Sequence, residues 1–265
     1  MGESHFNKKE ALNMSLFGNL KSDGLEESQD RLGGFSVWES DIYTGPIKMA
    51  YAGQSEQGAR NVTLIFEANG KEYRETVYIT NKKGENWFIN KDDKTKKVPL
   101  PGFTTIEDIC IIATGKPLAE QSAEDKMVKI YDKDLKKEVP KSVPVLTELL
   151  GQSLSLAIVK QLENKSEKDG QGGYVDTAET RNSNVIEKVF HTESKMTVAE
   201  ARQGLETAIF WDAWLERNKG KERDRRSIKG GAGGQAGKPG GRTQSGPPQA
   251  GNGAPARKSL FGAKA

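Results

Sequence analysis

Two residues in the first third of the chain, Asn69 and Gly70, constrain the fold more than any others. They separate Val62–Ala68 (VTLIFEA) from Tyr73–Ile79 (YRETVYI), two runs rich in β-branched and aromatic side chains. Asn-Gly supplies the two positive φ angles of a type I′ turn, whose twist matches that of the strands it joins, so the segment is predicted as a β-hairpin. Side chains alternate across a strand. Tyr73, Glu75, Val77 and Ile79 therefore share one face, and Arg74, Thr76 and Tyr78 the other. The second face joins a cation, a hydroxyl and an aromatic ring. It suits bases stacked beside a phosphate backbone, and equally a solvated sheet surface.

The remaining apolar runs are short, as expected for a mainly β core with minor α. Strands are predicted at Phe35–Tyr43 and Ile47–Tyr51, punctuated by Gly45-Pro46, and at Met127–Tyr131, Val143–Val145, Leu154–Leu162 and Asn184–Phe190. Leu154, Leu156, Ile158 and Leu162 are expected to alternate inward. Leu100–Phe103 is predicted as a turn, with Thr104 or Thr105 capping a short helix through Ala113. Ile109–Ile112 is too short to assign by period alone. A charged, Gly-rich loop is expected over 164–173. Thr197-Val-Ala-Glu200 is a capping-box pattern, and good helix formers follow to Arg217 with only Gly204 interrupting. Within that closing helix Ile209, Phe210, Trp214 and Leu215 form a stripe expected to pack on the core.

The ends are different. From Gly220 to Ala265 there are twelve glycines and one aromatic, Phe261, too few apolar side chains to offset chain entropy. That segment carries ten Lys/Arg against Glu222 and Asp224. Its charge of +8, within a chain of net +3, leaves −5 for the rest. A mildly acidic core on a basic tail directs the tail toward an anion or an acidic protein surface, and obliges the core to use a local patch if it binds nucleic acid. The organisation expected is a flexible arm over 1–32, a core over 33–219 with its closing helix, and a disordered basic tail over 220–265.

Enzyme readings fail for want of material. One cysteine, Cys110, excludes an intrachain disulfide and a multi-thiolate zinc site, and with only His5 and His191 neither a histidine metal site nor a Ser-His-Asp triad is expected. Ala113–Pro117 ends like a phosphate loop but lacks the upstream Gly and has Pro in place of Ser/Thr. The glycines at 170, 172 and 173 follow no strand–helix pattern. The acidic pairs Asp92/Asp93 and Glu124/Asp125 sit among lysines as solvated charge. No catalytic residue, metal or cofactor is expected. No run approaches membrane-spanning length and the N-terminus has no apolar leader, so a cytoplasmic protein is expected.

The binding reading has positive support. Several short strands with a terminal helix match an open barrel of the OB type, which takes single strands on one face. Candidate nucleic-acid contacts are Tyr43, Lys48, Tyr51, Tyr73, Arg74, Tyr78, Lys82, Lys83 and Trp87. Of the hairpin residues, Arg74 and Tyr78 are favoured over Tyr73, which shares its face with Val77 and Ile79.

Residues 33–45 (GGFSVWESDIYTG), 78–88 (YITNKKGENWF), 100–116 (LPGFTTIEDICIIATGK) and 143–165 (VPVLTELLGQSLSLAIVKQLENK) resemble the single-stranded DNA-binding proteins of tailed bacteriophages, most closely the coliphage N-four lineage. The resemblance covers about residues 30–220. It implies an OB-type fold, sequence-independent binding of single-stranded DNA in phage replication and recombination, and phage replication and recombination proteins as partners in the infected bacterial host. It also implies activation of late transcription by host RNA polymerase through the C-terminal end. Bacterial single-strand binders carry an acidic tip, whereas Ala256–Ala265 here is basic. The expected partner contacts are therefore Leu260 and Phe261 as anchors, with Lys258 and Lys264 pairing to acidic groups. An RNA-binding or RNA-chaperone protein with the same core is the alternative. The tetrapeptide Ser15–Gly18 (SLFG) recurs as Ser259–Gly262, which would suit two ends docking on one kind of pocket.

Overall fold

The computed structural model describes residues 37–132, 135–170, 173–228 and 261. The architecture is mainly β, built on an open sheet. Its strands are β1 (Asp41–Gln54), β2 (Arg60–Ala68), β3 (Lys71–Tyr78), β6 (Ala123–Asp132), β7 (Lys137–Leu146), β8 (Ser153–Lys168), β9 (Tyr174–Phe190) and β10 (Glu222–Asp224). β4 (Trp87–Ile89) and β5 (Lys97–Pro99) form a separate two-stranded ribbon. The main path runs β10-β8-β1-β2-β3; β9 lies beside β8, while β7 joins β1 and carries β6. Among the described residues three α-helices accompany it: α1 (Pro101–Thr114), α2 (Val198–Arg202) and α3 (Phe210–Asn218). This is the mainly β class expected.

The Asn69-Gly70 hairpin forms as predicted. β2 and β3 pair from Asn61↔Tyr78 to Ala68↔Lys71, and φ is 54° at Asn69 and 70° at Gly70. Gly45-Pro46, in contrast, does not end a strand. β1 runs through it, pairing with β8 over Asp41–Pro46 and with β2 over Ile47–Gln54, with a bulge between Ile47 and Met49. Gly45 lies so close to β2 that an added Cβ would sit 1.9 Å from the Glu67 carbonyl oxygen. The dipeptide marks where β1 changes partner.

Leu100 is the N-cap of α1 and Pro101 its first residue, where a missing N–H costs nothing. Thr104 and Thr105 are inside the helix, their hydroxyls donating back to the Leu100 and Pro101 carbonyls at 3.3 and 3.1 Å. Gly102 permits close packing, since a Cβ there would approach the Tyr78 carbonyl oxygen to 2.2 Å. Ile106, Ile109, Cys110, Ile111 and Ile112 are buried, which settles the ambiguous run as helix. With Leu64, Phe66, Tyr73, Val77, Leu154, Leu156 and Ile158 they form the main core.

β8 is buried on both faces. Leu154, Leu156 and Ile158 face the main core as expected, while Ala157 and Val159 pack with Phe190 and Trp214 in a second cluster under α3. Leu162 is only half-buried. The loop expected over 164–173 is shorter, because β8 continues to Lys168 and β9 begins at Tyr174.

The single closing helix is two. Gly204, at φ 69°, ends α2, and the chain turns before α3. In consequence the expected stripe is rotated. Trp214 is buried, Trp211 and Leu215 pack beside it, and Ile209 is 63% exposed. β10 falls in the segment whose composition reads as tail. It pairs in parallel with Lys160–Leu162 of β8, and Arg223 bonds Glu187 at 2.6 Å.

Candidate nucleic-acid interface

Strand alternation sorts the candidates. On β2, Val62, Leu64 and Phe66 point into the core, opposite Val77, Glu75 and Tyr73 of β3. The other face of β1–β2–β3 carries Met49 and Tyr51, then Asn61, Thr63, Ile65 and Glu67, then Glu72, Arg74, Thr76 and Tyr78.

Tyr73 is therefore a core residue. It is 5% exposed, lies 5.5 Å from Trp38 between ring centroids, and donates its hydroxyl to Glu75 at 2.6 Å. Burial first, and then the Glu75 carboxylate, push its pKa far up. Glu75 also accepts the Ile186 N–H at 2.9 Å, linking β3 to β9. Burial raises the Glu75 pKa, opposed by these two hydrogen bonds. A base could not stack on Tyr73 without opening the core.

Arg74 and Tyr78 are on the outward face. Tyr78 is 52% exposed. Arg74 is half-buried and donates to the Tyr51 hydroxyl at 2.6 Å, which fixes the guanidinium over the middle of the sheet. Tyr51 is itself 6% exposed, so its part here is to hold Arg74 rather than to offer a free ring. Thr63 and Thr76 are joined through their hydroxyls at 2.9 Å between them.

Charge changes along this face. At the hairpin end lie Glu67 and Glu72. Lys48, the bulged residue of β1, is paired with Glu67 at 3.2 Å. At the far end Tyr78 pairs with Asn61, next to exposed Arg60, and the chain enters the turn bearing exposed Lys82 and Lys83. The Asn81 side chain shapes that turn, accepting from the Lys83 and Glu85 N–H groups at 2.9 and 3.0 Å. The turn also borders the β1–β2 connection, because Gly58 lies under the Lys82 carbonyl. Trp87 follows on β4, half-buried, with Lys97 Nζ 3.8 Å from its ring centroid. Such a cation over an indole is itself a favourable contact.

Tyr43 stands apart from this group. It is half-buried on the β8-paired part of β1, edge-on to Trp38 at 4.5 Å, with its hydroxyl donating to the Glu39 carbonyl at 2.8 Å. Of the tip candidates, Lys258, Leu260 and Lys264 lie outside the described residues, and Phe261 packs against the chain's own core.

Besides Phe88, 43% exposed on β4, two exposed tyrosines were not among the candidates. Tyr131 is 53% exposed on the β6–β7 hairpin, beside Lys129, and Tyr174 is 66% exposed where β9 begins. The alternation Met127-Val-Lys-Ile-Tyr131 was the available signal for the first; nothing local marks Tyr174.

Among the described residues no cluster of His, Cys, Asp and Glu is arranged to hold a metal ion, and no helix is long and apolar enough to cross a membrane. Cys110 is fully buried, and burial pushes its thiol up to about 12. No protein-family model matches the chain, and no curated protein matches it significantly.

Proposed function

We propose that the chain is a sequence-independent binder of single-stranded DNA, using the outward face of β1–β2–β3 and the Lys82–Lys83 turn. The observation that carries this reading is the placement of Arg74 and exposed Tyr78 on the side of the sheet away from the main core, with exposed Arg60, Lys82 and Lys83 at the adjoining strand ends. An exposed ring stacks on any base, contributing roughly 1–3 kcal/mol per base, while the cations follow phosphates. Such a binder needs no catalytic group. The open sheet is read as a variant of the OB architecture, with β1 shared between two ladders. The setting in phage replication and recombination, and the activation of host RNA polymerase, come into this proposal from the sequence resemblance.

The test is tryptophan fluorescence during titration with single-stranded oligothymidine, its duplex and the matched RNA strand. Trp38 and Trp214 are buried and Trp211 packs edge-on against Phe190, so quenching should come chiefly from Trp87, which follows the Lys82–Lys83 turn, and should shrink in Trp87→Phe. Tight, salt-sensitive binding of the DNA strand with little response to duplex is expected. Equal affinity for duplex sinks the proposal, and tighter binding of the RNA strand replaces it with the RNA-binding alternative.

A further inference from the structure

Phe261 lies against the chain's own core. It is half-buried there, and its ring stacks on His191 with centroids 4.6 Å apart and planes 18° from parallel. It borders a groove of about 660 Å³, formed where the end of α1 meets the turn before β8. Ile112, Thr114, Lys116, Glu148, Ser153 and His191 are among its lining residues.

The groove is lined mainly by polar groups, and the part that meets Phe261 is the face of the His191 ring, with Ile112 among the few apolar linings. Ile112 is 7% exposed and belongs to the core. Ser194 orients the imidazole, its N–H donating to Nδ1 at 3.2 Å and its Oγ lying 3.0 Å from the same atom. Burial lowers the His191 pKa against the pull of Glu193, so a neutral ring meets Phe261 at neutral pH. At the rim Glu148 is held by Lys116 at 2.7 Å and Ser122 at 2.8 Å.

The intervening residues 229–260 do not force the tip into this place. Thirty-two residues span up to roughly 100 Å when extended, so contacts, not the tether, select the groove. Linkage through thirty-two residues gives an effective concentration on the order of 1 mM. A site with a dissociation constant of about 0.1 mM for one half-buried ring is then about nine-tenths filled and still easily vacated.

We propose that this groove is the docking site of the chain's own Ser259–Gly262 segment, a latch that keeps Phe261 out of solvent until a competitor draws it away. The latch is separate from the proposed strand-binding face and does not rest on that reading. Gly102, near the start of α1, abuts Tyr78, whereas the groove lies at the helix's other end, and fourteen residues of helix span about 20 Å.

The test uses the isotopically labelled full-length protein, wild type and Phe261→Ala, with a synthetic peptide of residues 256–265. In the variant the resonances of His191, Ile112 and Ser153 should shift, and the His191 pKa should rise toward its ordinary value. Amide signals of β1–β3 should stay in place, which checks that the fold is kept. The peptide should bind the variant roughly tenfold more tightly than the wild type, whose own tip competes, and restore the shifted resonances. A peptide with alanine at the Phe261 position should not bind. Unmoved His191 resonances in the variant, or equal peptide affinity for both proteins, overturns the proposal.

Discussion

One carboxylate organises the end of the folded chain. Glu200 Oε2 accepts the Thr197 N–H at 2.9 Å, completing the capping box of α2, while Oε1 accepts the Ile209 and Phe210 N–H groups at 2.8 and 2.7 Å where α3 begins. The first half was legible in Thr197-x-x-Glu200. The second was not, because its donors come nine and ten residues later, across a turn that only the fold closes. Burial would raise the Glu200 pKa, but the hydrogen bonds from Thr197, Phe210 and Ile209 outweigh it and hold the pKa below the usual range. Its stabilisation is therefore complete above the unfolded carboxylate's pKa and is lost as pH falls through the lower, folded value. Asp108 has the opposite sign. Burial raises its carboxyl to about 6 despite Lys188 and Arg202, so it costs stability increasingly as pH rises from about 4 to 6. Urea unfolding across pH 3–8 separates the two. Glu200→Gln should lose about 1–3 kcal/mol at pH 7, with the deficit closing in acid. Asp108→Asn should gain about 1–2 kcal/mol at pH 7 and nothing below pH 4. A pH-independent difference for either variant contradicts its assignment.

At the scale of elements, local chemistry announced itself where it was sufficient. Asn69-Gly70 needs nothing beyond its own turn, and the hairpin came out in the expected register. Gly45-Pro46 looks like the same kind of punctuation but is a partner switch, and its meaning lies in Glu67 and Ser153, distant in sequence. Gly204 is a third case: a positive-φ glycine that ends a helix, within a run whose propensities favour continuing it. The glycines predict different penalties. Gly70→Ala faces open space and pays only for its left-handed backbone, about 1 kcal/mol. Gly45→Ala must push one strand off another, since its Cβ meets backbone, and should cost more than 3 kcal/mol or prevent folding. Thermal unfolding of the two variants ranks them; equal losses would mean that β1 and β2 separate freely at the switch.

For the whole molecule, the division of charge is the constraint on any account of binding. The sequence showed that residues 1–219, at −5, cannot attract a strand by their overall field, and alternation alone separated the buried Tyr73 from the exposed Tyr78. What it missed was the arrangement around them. Tyr51 serves Arg74, Lys48 is matched by Glu67, and exposed Arg60, Lys82 and Lys83 lie toward the Tyr78 end of β2 and β3. Stacking and phosphate contact then respond differently to salt. Each phosphate neutralised on a single strand contributes about 0.7 to the slope of log affinity against log salt, whereas stacking contributes none. Tyr78→Ala should weaken oligothymidine binding by about 1–3 kcal/mol with the slope unchanged. Joint Lys82→Ala and Lys83→Ala should reduce the slope by about 1.4 if each lysine meets a phosphate, and should leave Tyr78's share intact. Both are measured on the full-length protein, so the basic tail adds the same background to every slope. If the lysine variants leave the slope untouched while strand binding persists, the tail carries the phosphate contacts and the sheet face supplies only the stacking.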